Sequence, residues 1–445
     1  MSVPRTRLRS LVLFVCLMLL TILSTAGQAE PAVRSVILMI GDGMGPHQVR
    51  LAAAYKGDSL VMETLPVQAA LSTRAASHAV TDSAAAATAL ATGYKTNNGM
   101  IGVTPDGLPK KTILEAAKEA GRATGTITTT HPAHATPAAF VAHVKSRTEY
   151  TEIAAQALNA GQSIIMGAGA AYFLPEDLGG KRTDGRHLLE EAQERGYRVV
   201  SDHRELATLA PQLVLGLFGG VGSAAMTYTF DRRPTTTEPS IADMTKAALG
   251  VLSHAPSGFF LMVEAGRIDT ACHDNDALYS IGETLAFDEA VAVAVAYVNQ
   301  HPDTLLVVTA DHETGGLQLE AKVNGEVLRG LKSSINRLVS QVVANPSGAE
   351  SLLRKHAGLG SLSSLERSLL RTATGNKAVR AAVHEIIGKR GGFHWSTAGH
   401  TATDVPLYAL GARATAFEGG VYSNTEVPKR LAKIMGLELS EPPKE

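Results

Sequence analysis

The 445-residue sequence is short of cysteine and of net charge, and each shortage excludes something. Its two cysteines are Cys16 and Cys272. Cys16 lies in an N-terminal apolar run that reads as a removable segment, so Cys272 is left without an internal disulfide partner even in an oxidising compartment. Stability must then come from the core and from any bound metal. Forty-one basic residues against forty-two acidic ones leave a formal charge of −1. That balance excludes nucleic-acid binding through bulk electrostatics. Past the N-terminus no apolar stretch reaches membrane-spanning length. There is no internal repeat and no long disordered linker. What is present is a globular composition, 45% hydrophobic and 19% charged, in a chain long enough to bury one large core or two ordinary ones.

The first residues read as a processing segment. Arg5, Arg7 and Arg9 precede the apolar run Leu11 to Leu23, and Gly27 and Ala29 occupy the small-residue positions of a cleavage site after Ala29. This pattern predicts a signal peptide over 1–29, a Sec-like route in the absence of a twin-arginine pair, and a periplasmic or secreted protein with no membrane anchor once cleaved. The alternative is an uncleaved anchor helix. The polar ending "GLELSEPPKE" argues against a lipid-anchor signal.

Short runs apolar on both faces recur along the rest: "SVILMIG" at Ser35, "TGTITTT" at Thr124, "SIIMG" at Ser163, "LVLGLF" at Leu213, "FFLMVE" at Phe259, "LLVVTAD" at Leu305 and "VPLYALG" at Val405. Such runs are the signature of buried parallel strands. Helix-like segments lie between them, as at Lys111–Gly121 and Gly282–Gln300. The alternation predicts an α/β fold with a central, mostly parallel sheet flanked by helices on both faces. Residues 30–445 read as one catalytic domain. From about Ala321 to Arg390 strands give way to short helices, "SSINRLVSQVVAN" and "LSSLERSLLRTA" among them, which reads as a helical cap insertion.

Polar residues gather where the strands end. Asp42 follows the first run, Glu264 ends another, Asp311 and His312 end a third, and His134 and Thr136 follow "TGTITTT" by a short loop. Each alone is an ordinary turn or cap. Ligands in open α/β sheets bind outside the carboxyl ends of the strands, so four such ends together point to one site. Asp269 and His273 stand four apart and share a helix face, a spacing that can hold one divalent ion, zinc most naturally. His400 sits in a glycine-containing loop and can complete that set. Ser83 opens the alanine run of "VTDSAAAATALATGYKT". It reads as the cap or first turn of a helix, or as a nucleophile on a helix N-terminus, where backbone N–H groups attract an anion. His47, His78, His131, His143, His254 and His394 have no spacing partner.

These pieces resemble the alkaline phosphatases. "DGMG" at Asp42, "TDSAAAATALATGYKT" around Ser83, "HATPAAFVAHVKSR" from His134 to Arg147, "VEAGRID" leading to His273, "TADHETGG" at Asp311 and "GHT" at His400 occur in that family's order. The resemblance implies a metal-dependent phosphomonoesterase acting through a phosphoserine on Ser83. It implies one zinc held by Asp42, Asp311 and His312 and a second by Asp269, His273 and His400. A third, magnesium-type site would take Asp42, Thr136 and Glu264, and Arg147 would grip two phosphate oxygens. A guanidinium fits those oxygens better than an ammonium does. His134 stands where some members have Asp, which implies a third site open to zinc or cobalt in place of magnesium. Thr270 stands where some members have a cation, which implies looser phosphate binding. Small phosphorylated substrates are the expected partners, and a homodimer is the family's usual assembly. The alternative is a phosphodiesterase, or a phosphatase dedicated to one substrate, on the same scaffold.

Overall fold

The computed structural model describes residues 32–439. The expected signal segment, 1–29, lies outside the described residues. The strands of the main sheet are β1 (Ser35–Gly41), β2 (Val67–Ser72), β3 (Ala123–Thr128), β4 (Ile164–Ala168), β5 (Tyr197–Val200), β6 (Leu213–Phe218), β7 (Phe259–Ala265) and β8 (Thr304–Ala310). Four short strands follow, β9 (Glu313–Thr314), β10 (Leu317–Leu319), β11 (Phe393–Trp395) and β12 (His400–Thr401), and then β13 (Val405–Gly411) and β14 (Val421–Ser423). Ten of these form one sheet in the order β14-β2-β13-β8-β1-β7-β3-β4-β6-β5. Only β13 runs against its neighbours. The fold is thus α/β with a mostly parallel sheet flanked by helices, as the apolar runs predict.

β1, β7 and β8 are buried along their whole length. A parallel strand packed by helices on both faces must be apolar on both, and these are. The centre of the sheet is β8-β1-β7-β3. Adjacent strands lie about 4.8 Å apart, so the residues just past their ends are brought within ligand distance of one another. This register is what converts Asp311, Asp42, Glu264 and the loop carrying His134 into one cluster.

Three strands of the main sheet escape the sequence reading: β2, β5 and β14. β2 ("VQAALS") carries Gln68 and alanines rather than a β-branched run, and β5 and β14 are edge strands of four and three residues. An edge strand needs one apolar face at most, so its pattern is faint.

Between β10 and β11 the chain forms five α-helices, Gly325–Gly330, Ile335–Ala344, Ala349–Ala357, Ser364–Thr372 and Gly375–Gly391, and one 3-10 turn, Pro346–Gly348. They bury Leu338, Leu353, Val383 and Ile386 in a cluster that also takes in Leu51 and Ile281 of the main body. No helix among the described residues is long and apolar enough to cross a membrane.

Candidate functional site

The helix Ser83–Thr92 is buried on every side. Its alanines make that possible: Ala84 and Ala87 pack against Ala135, Ala138 and Ala139, with little side chain to hold the backbones apart. The cap, however, is Asp82, whose carboxylate accepts from the Ala85 N–H, and Ser83 is the first helical residue. Of the two places the sequence allows Ser83, cap or first turn, it takes the first turn. A carboxylate satisfies the orphan N–H and the positive end of the helix dipole together, which leaves the Ser83 hydroxyl free to face the strand ends. Its Oγ lies 3.2 Å from His312 Nε2.

His312 follows β8 and is fully buried, as are Asp311 and Asp42. His312 Nε2 is 3.2 Å from Asp311 Oδ2 and 3.5 Å from Asp42 Oδ1. Asp311 Oδ1 is held by the backbone N–H groups of Gly43 and His312, at 3.0 and 2.8 Å. Gly43 is required at this turn: its φ is +76°, and a Cβ there would lie 2.8 Å from Asp269 Cα. Two buried carboxylate oxygens, Asp42 Oδ1 and Asp311 Oδ2, have no hydrogen-bond partner. Burial, and then the neighbouring carboxylates, push Asp42 well above the usual carboxylate range. Burial above all raises Asp311 to about 8, with Asp269 and Glu264 adding to it. Burial also drives His312 well below its ordinary value, with His400 adding to the effect. Crowded, dry carboxylates beside a neutral imidazole are what a divalent cation relieves.

The second cluster is Asp269, His273 and His400. Asp269 and His273 share a face of the helix Arg267–His273, one turn apart. His273 Nδ1 donates to the Ala398 carbonyl at 2.6 Å, and His400 Nδ1 donates to the Thr81 carbonyl at 2.8 Å. A carbonyl can only accept, so each Nδ1 carries a hydrogen and each neutral ring presents a lone pair at Nε2. The two Nε2 atoms are 3.1 Å apart and lie 3.3 and 3.5 Å from the Asp269 carboxylate. Such an arrangement holds a cation, either a proton or a metal. With a proton, the bond to Asp269 raises His273 to about 9. Asp269 is held low by His273, His312 and His400 against the opposing effect of burial. Cys272 plays no part here: it is buried, with Sγ against Ser280 Oγ.

The third cluster is Asp42, His134 and Glu264. His134 Nδ1 is 3.1 Å from Glu264 Oε1 and 3.9 Å from Asp42 Oδ2. Thr136 Oγ1 lies 3.4 Å from Asp42 Oδ2. Asp42 therefore belongs to two clusters at once. Thr128 and Thr130 hydroxyls close the far side of Glu264. Arg147 reaches in from its loop, with Nη1 3.1 Å from Asp82 Oδ2 and Nη2 3.4 Å from His134 Nε2.

Ser83, Arg147, His134 and the eight expected metal ligands are thus brought to one edge of the sheet. The sequence reading passes over five groups that hold them. Asp82 binds Arg147. Thr314 Oγ1 meets Asp269 Oδ1 at 2.5 Å and His312 Nδ1 at 3.2 Å. Glu313 ties β9 to β12. The carbonyls of Thr81 and Ala398 orient the imidazoles, and nothing in a sequence marks a carbonyl. Five of the histidines set aside also find partners: His143 bonds to Glu115 and the Gly102 carbonyl, His47 to the Leu317 carbonyl, His254 to the Gly250 carbonyl and His78 to the Ser77 hydroxyl, while His131 packs against Tyr150 and Tyr172.

The chain is similar to known proteins along most of its length. The alkaline phosphatase family model matches residues 33–437. Alkaline phosphatase 4 of Bacillus subtilis is 34% identical over 93% of this chain and 91% of its own length. The crystal structure of a cold-active alkaline phosphatase from Shewanella sp. superposes with a TM-score of 0.79 at 32% identity, over 90% of this chain and 99% of that one. A TAB5 alkaline phosphatase variant, solved with magnesium bound in its M3 site, gives a TM-score of 0.70 at 27% identity, over 92% of this chain and 100% of that one.

Proposed function

The chain belongs to the alkaline phosphatase family of metal-dependent phosphomonoester hydrolases, and on that premise we propose that Ser83 is its nucleophile. The observation that carries this reading is the convergence of His273 and His400 Nε2, 3.1 Å apart, beside a cluster that touches Ser83 Oγ through His312. Asp42, Asp311 and His312 would hold one zinc ion, and Asp269, His273 and His400 a second. The fit rests on the orphaned Asp42 Oδ1 and Asp311 Oδ2 and on the two converging imidazoles. Asp42, Glu264 and Thr136, with His134, form a third site for magnesium, zinc or cobalt. Divalent ions bound there supply Lewis acidity, favouring the alkoxide and neutralising charge on entering and leaving oxygens.

The chain's own groups divide the remaining work. Arg147, aimed by Asp82, grips two non-bridging oxygens of a terminal phosphoryl group. The N-terminus of the helix Ser83–Thr92 adds favourable potential for the dianion. Ser83 Oγ gives up its proton to solvent and forms a bond to phosphorus as the bond to the leaving oxygen breaks. The leaving oxygen keeps the electron pair and takes up a proton. Water then displaces the serine oxygen, releasing phosphate and restoring the hydroxyl. A monoester has three non-bridging oxygens, so two can meet Arg147 while one is left for a cation; a diester has only two, which favours a monoester.

This reading includes export through a signal peptide over residues 1–29, a periplasmic or secreted site of action, one catalytic domain over 30–445 and a homodimer. The test is hydrolysis of a nitrophenyl phosphate monoester and of the bis-nitrophenyl diester by wild type and Ser83→Ala, with and without chelator. Chelator-sensitive monoester turnover that Ser83→Ala loses supports the reading. Turnover retained in Ser83→Ala refutes it.

A further inference from the structure

We propose that Arg380 and Asn336, on the helices between β10 and β11, are positioning residues for His273: they clamp the turn after it and so set how tightly the Asp269, His273 and His400 cluster retains its metal ion. The inference rests on reading that cluster as a metal site.

His273 is the last residue of a seven-residue helix, and its side chain is 41% exposed. A helix that short is not held by its own hydrogen bonds. Something outside it must hold its end. Directly after it, Asn275 adopts a left-handed conformation, φ 52°, which turns the chain back toward the helix Ala277–Gln300. That turn is fastened to the inserted helices at several points. Asn336 Nδ2 donates to Asp274 Oδ2 at 2.9 Å. Arg380 donates from Nη1 to the Asp274 carbonyl at 3.3 Å and from Nη2 to Asn336 Oδ1. Arg380, Asn336 and Asp274 therefore close a three-membered ring of hydrogen bonds one residue past His273.

Asp276 adds a buried fastening. It is 1% exposed, and its two oxygens accept from the N–H groups of Tyr279 and Ile335, at 3.1 and 2.7 Å. The same carboxylate thus caps the helix Ala277–Gln300 and receives the first turn of the inserted helix Ile335–Ala344. On the other side, Ala398, which accepts from His273 Nδ1, lies in the segment that leaves the insertion through β11. The inserted helices accordingly hold the turn after His273, and the segment that leaves the insertion holds its ring nitrogen. Neither Arg380 nor Asn336 contacts a ligand atom of the three clusters, so any effect on metal passes through the placement of His273. Loss of groups that orient metal ligands costs about 10–100-fold in metal affinity.

The test is competition between the full-length, zinc-loaded protein and a calibrated chelator. The variants are Arg380→Ala, Asn336→Leu, Arg380→Lys, His273→Ala and, as control, Lys389→Ala. Lys389 carries an exposed ion pair to Glu385 on the same helix as Arg380. Arg380→Ala and Asn336→Leu are expected to weaken zinc retention at one site by about tenfold. Excess zinc should restore their kcat, Arg380→Lys should recover part of the affinity, and Lys389→Ala should match wild type. Unchanged retention in folded Arg380→Ala and Asn336→Leu, with retention lost in His273→Ala, overturns the inference and leaves the metal site standing. Unchanged retention in His273→Ala overturns the metal-site reading and this inference together.

Discussion

Asp82 binds Arg147 with one carboxylate oxygen while its other oxygen caps the helix that begins with Ser83. One residue therefore fixes both the guanidinium proposed to grip phosphate and the first turn that presents the Ser83 hydroxyl. Asp82→Ala should cost about 1 kcal/mol of stability through the lost cap. It should also let Arg147 swing, weakening inhibition by inorganic phosphate roughly 2–10-fold, as expected for a lost orienting hydrogen bond. Thermal unfolding and phosphate inhibition constants check the two effects separately.

Metal removal should reverse the pH dependence of stability. In the metal-free protein Asp42 and Asp311 are raised, chiefly by burial. A carboxyl whose folded pKa is raised contributes stability that is present below its unfolded value of about 3.9 and lost as pH rises through the folded value. For Asp311 that loss extends to about pH 8. Chelator-treated protein should therefore melt at lower temperature at pH 8.5 than at pH 6. Zinc-loaded protein should gain most from its metal at pH 8.5, because bound ligands must be deprotonated. Melting curves across pH with and without chelator measure this. Parallel curves would contradict it.

Glu313 holds β9 against β12, the two strands that carry His312 and His400 into place. It is buried and accepts from Gln48, from the N–H groups of Gly316 and Leu317, and from the Thr401 hydroxyl. Glu313→Ala strands several donors at once and should cost on the order of 3 kcal/mol. Its zinc retention should fall as well, because Thr401 adjoins His400. Denaturant unfolding together with zinc content after dialysis checks both.

His134 places an imidazole 3.1 Å from Glu264 in the third cluster. Magnesium prefers oxygen ligands in near-octahedral array, and nitrogen favours zinc or cobalt. His134→Asp should bind magnesium more tightly and discriminate better against cobalt, measured by calorimetric titration. An unchanged preference would remove His134 from that site.

Much of the site was legible because its residues sit at the ends of central strands. β1, β7 and β8 are apolar on both faces, so the polar residues that close them stand out in the sequence. Asp269 and His273 were legible through helical spacing. What was hidden acts across the chain. Asp82 goes unmarked beside Ser83 in the sequence, and its hold on Arg147 spans 65 positions. The Thr81 and Ala398 carbonyls have no side-chain signal at all. β2, β5 and β14 were lost because alanine-rich and edge strands need little apolar pattern. The inserted helices were visible from their composition, but their grip on the turn after His273 depends on tertiary contacts that no local period encodes.

We read these three clusters as cation sites around one reactive hydroxyl. Anomalous X-ray diffraction from zinc-loaded crystals at the zinc absorption edge tests this reading most directly. The prediction is one peak among Asp42, Asp311 and His312 and a second among Asp269, His273 and His400, with Ser83 Oγ beside the first. Ordered crystals in saturating zinc that show no peak at either cluster, or peaks only at surface histidines, would contradict it.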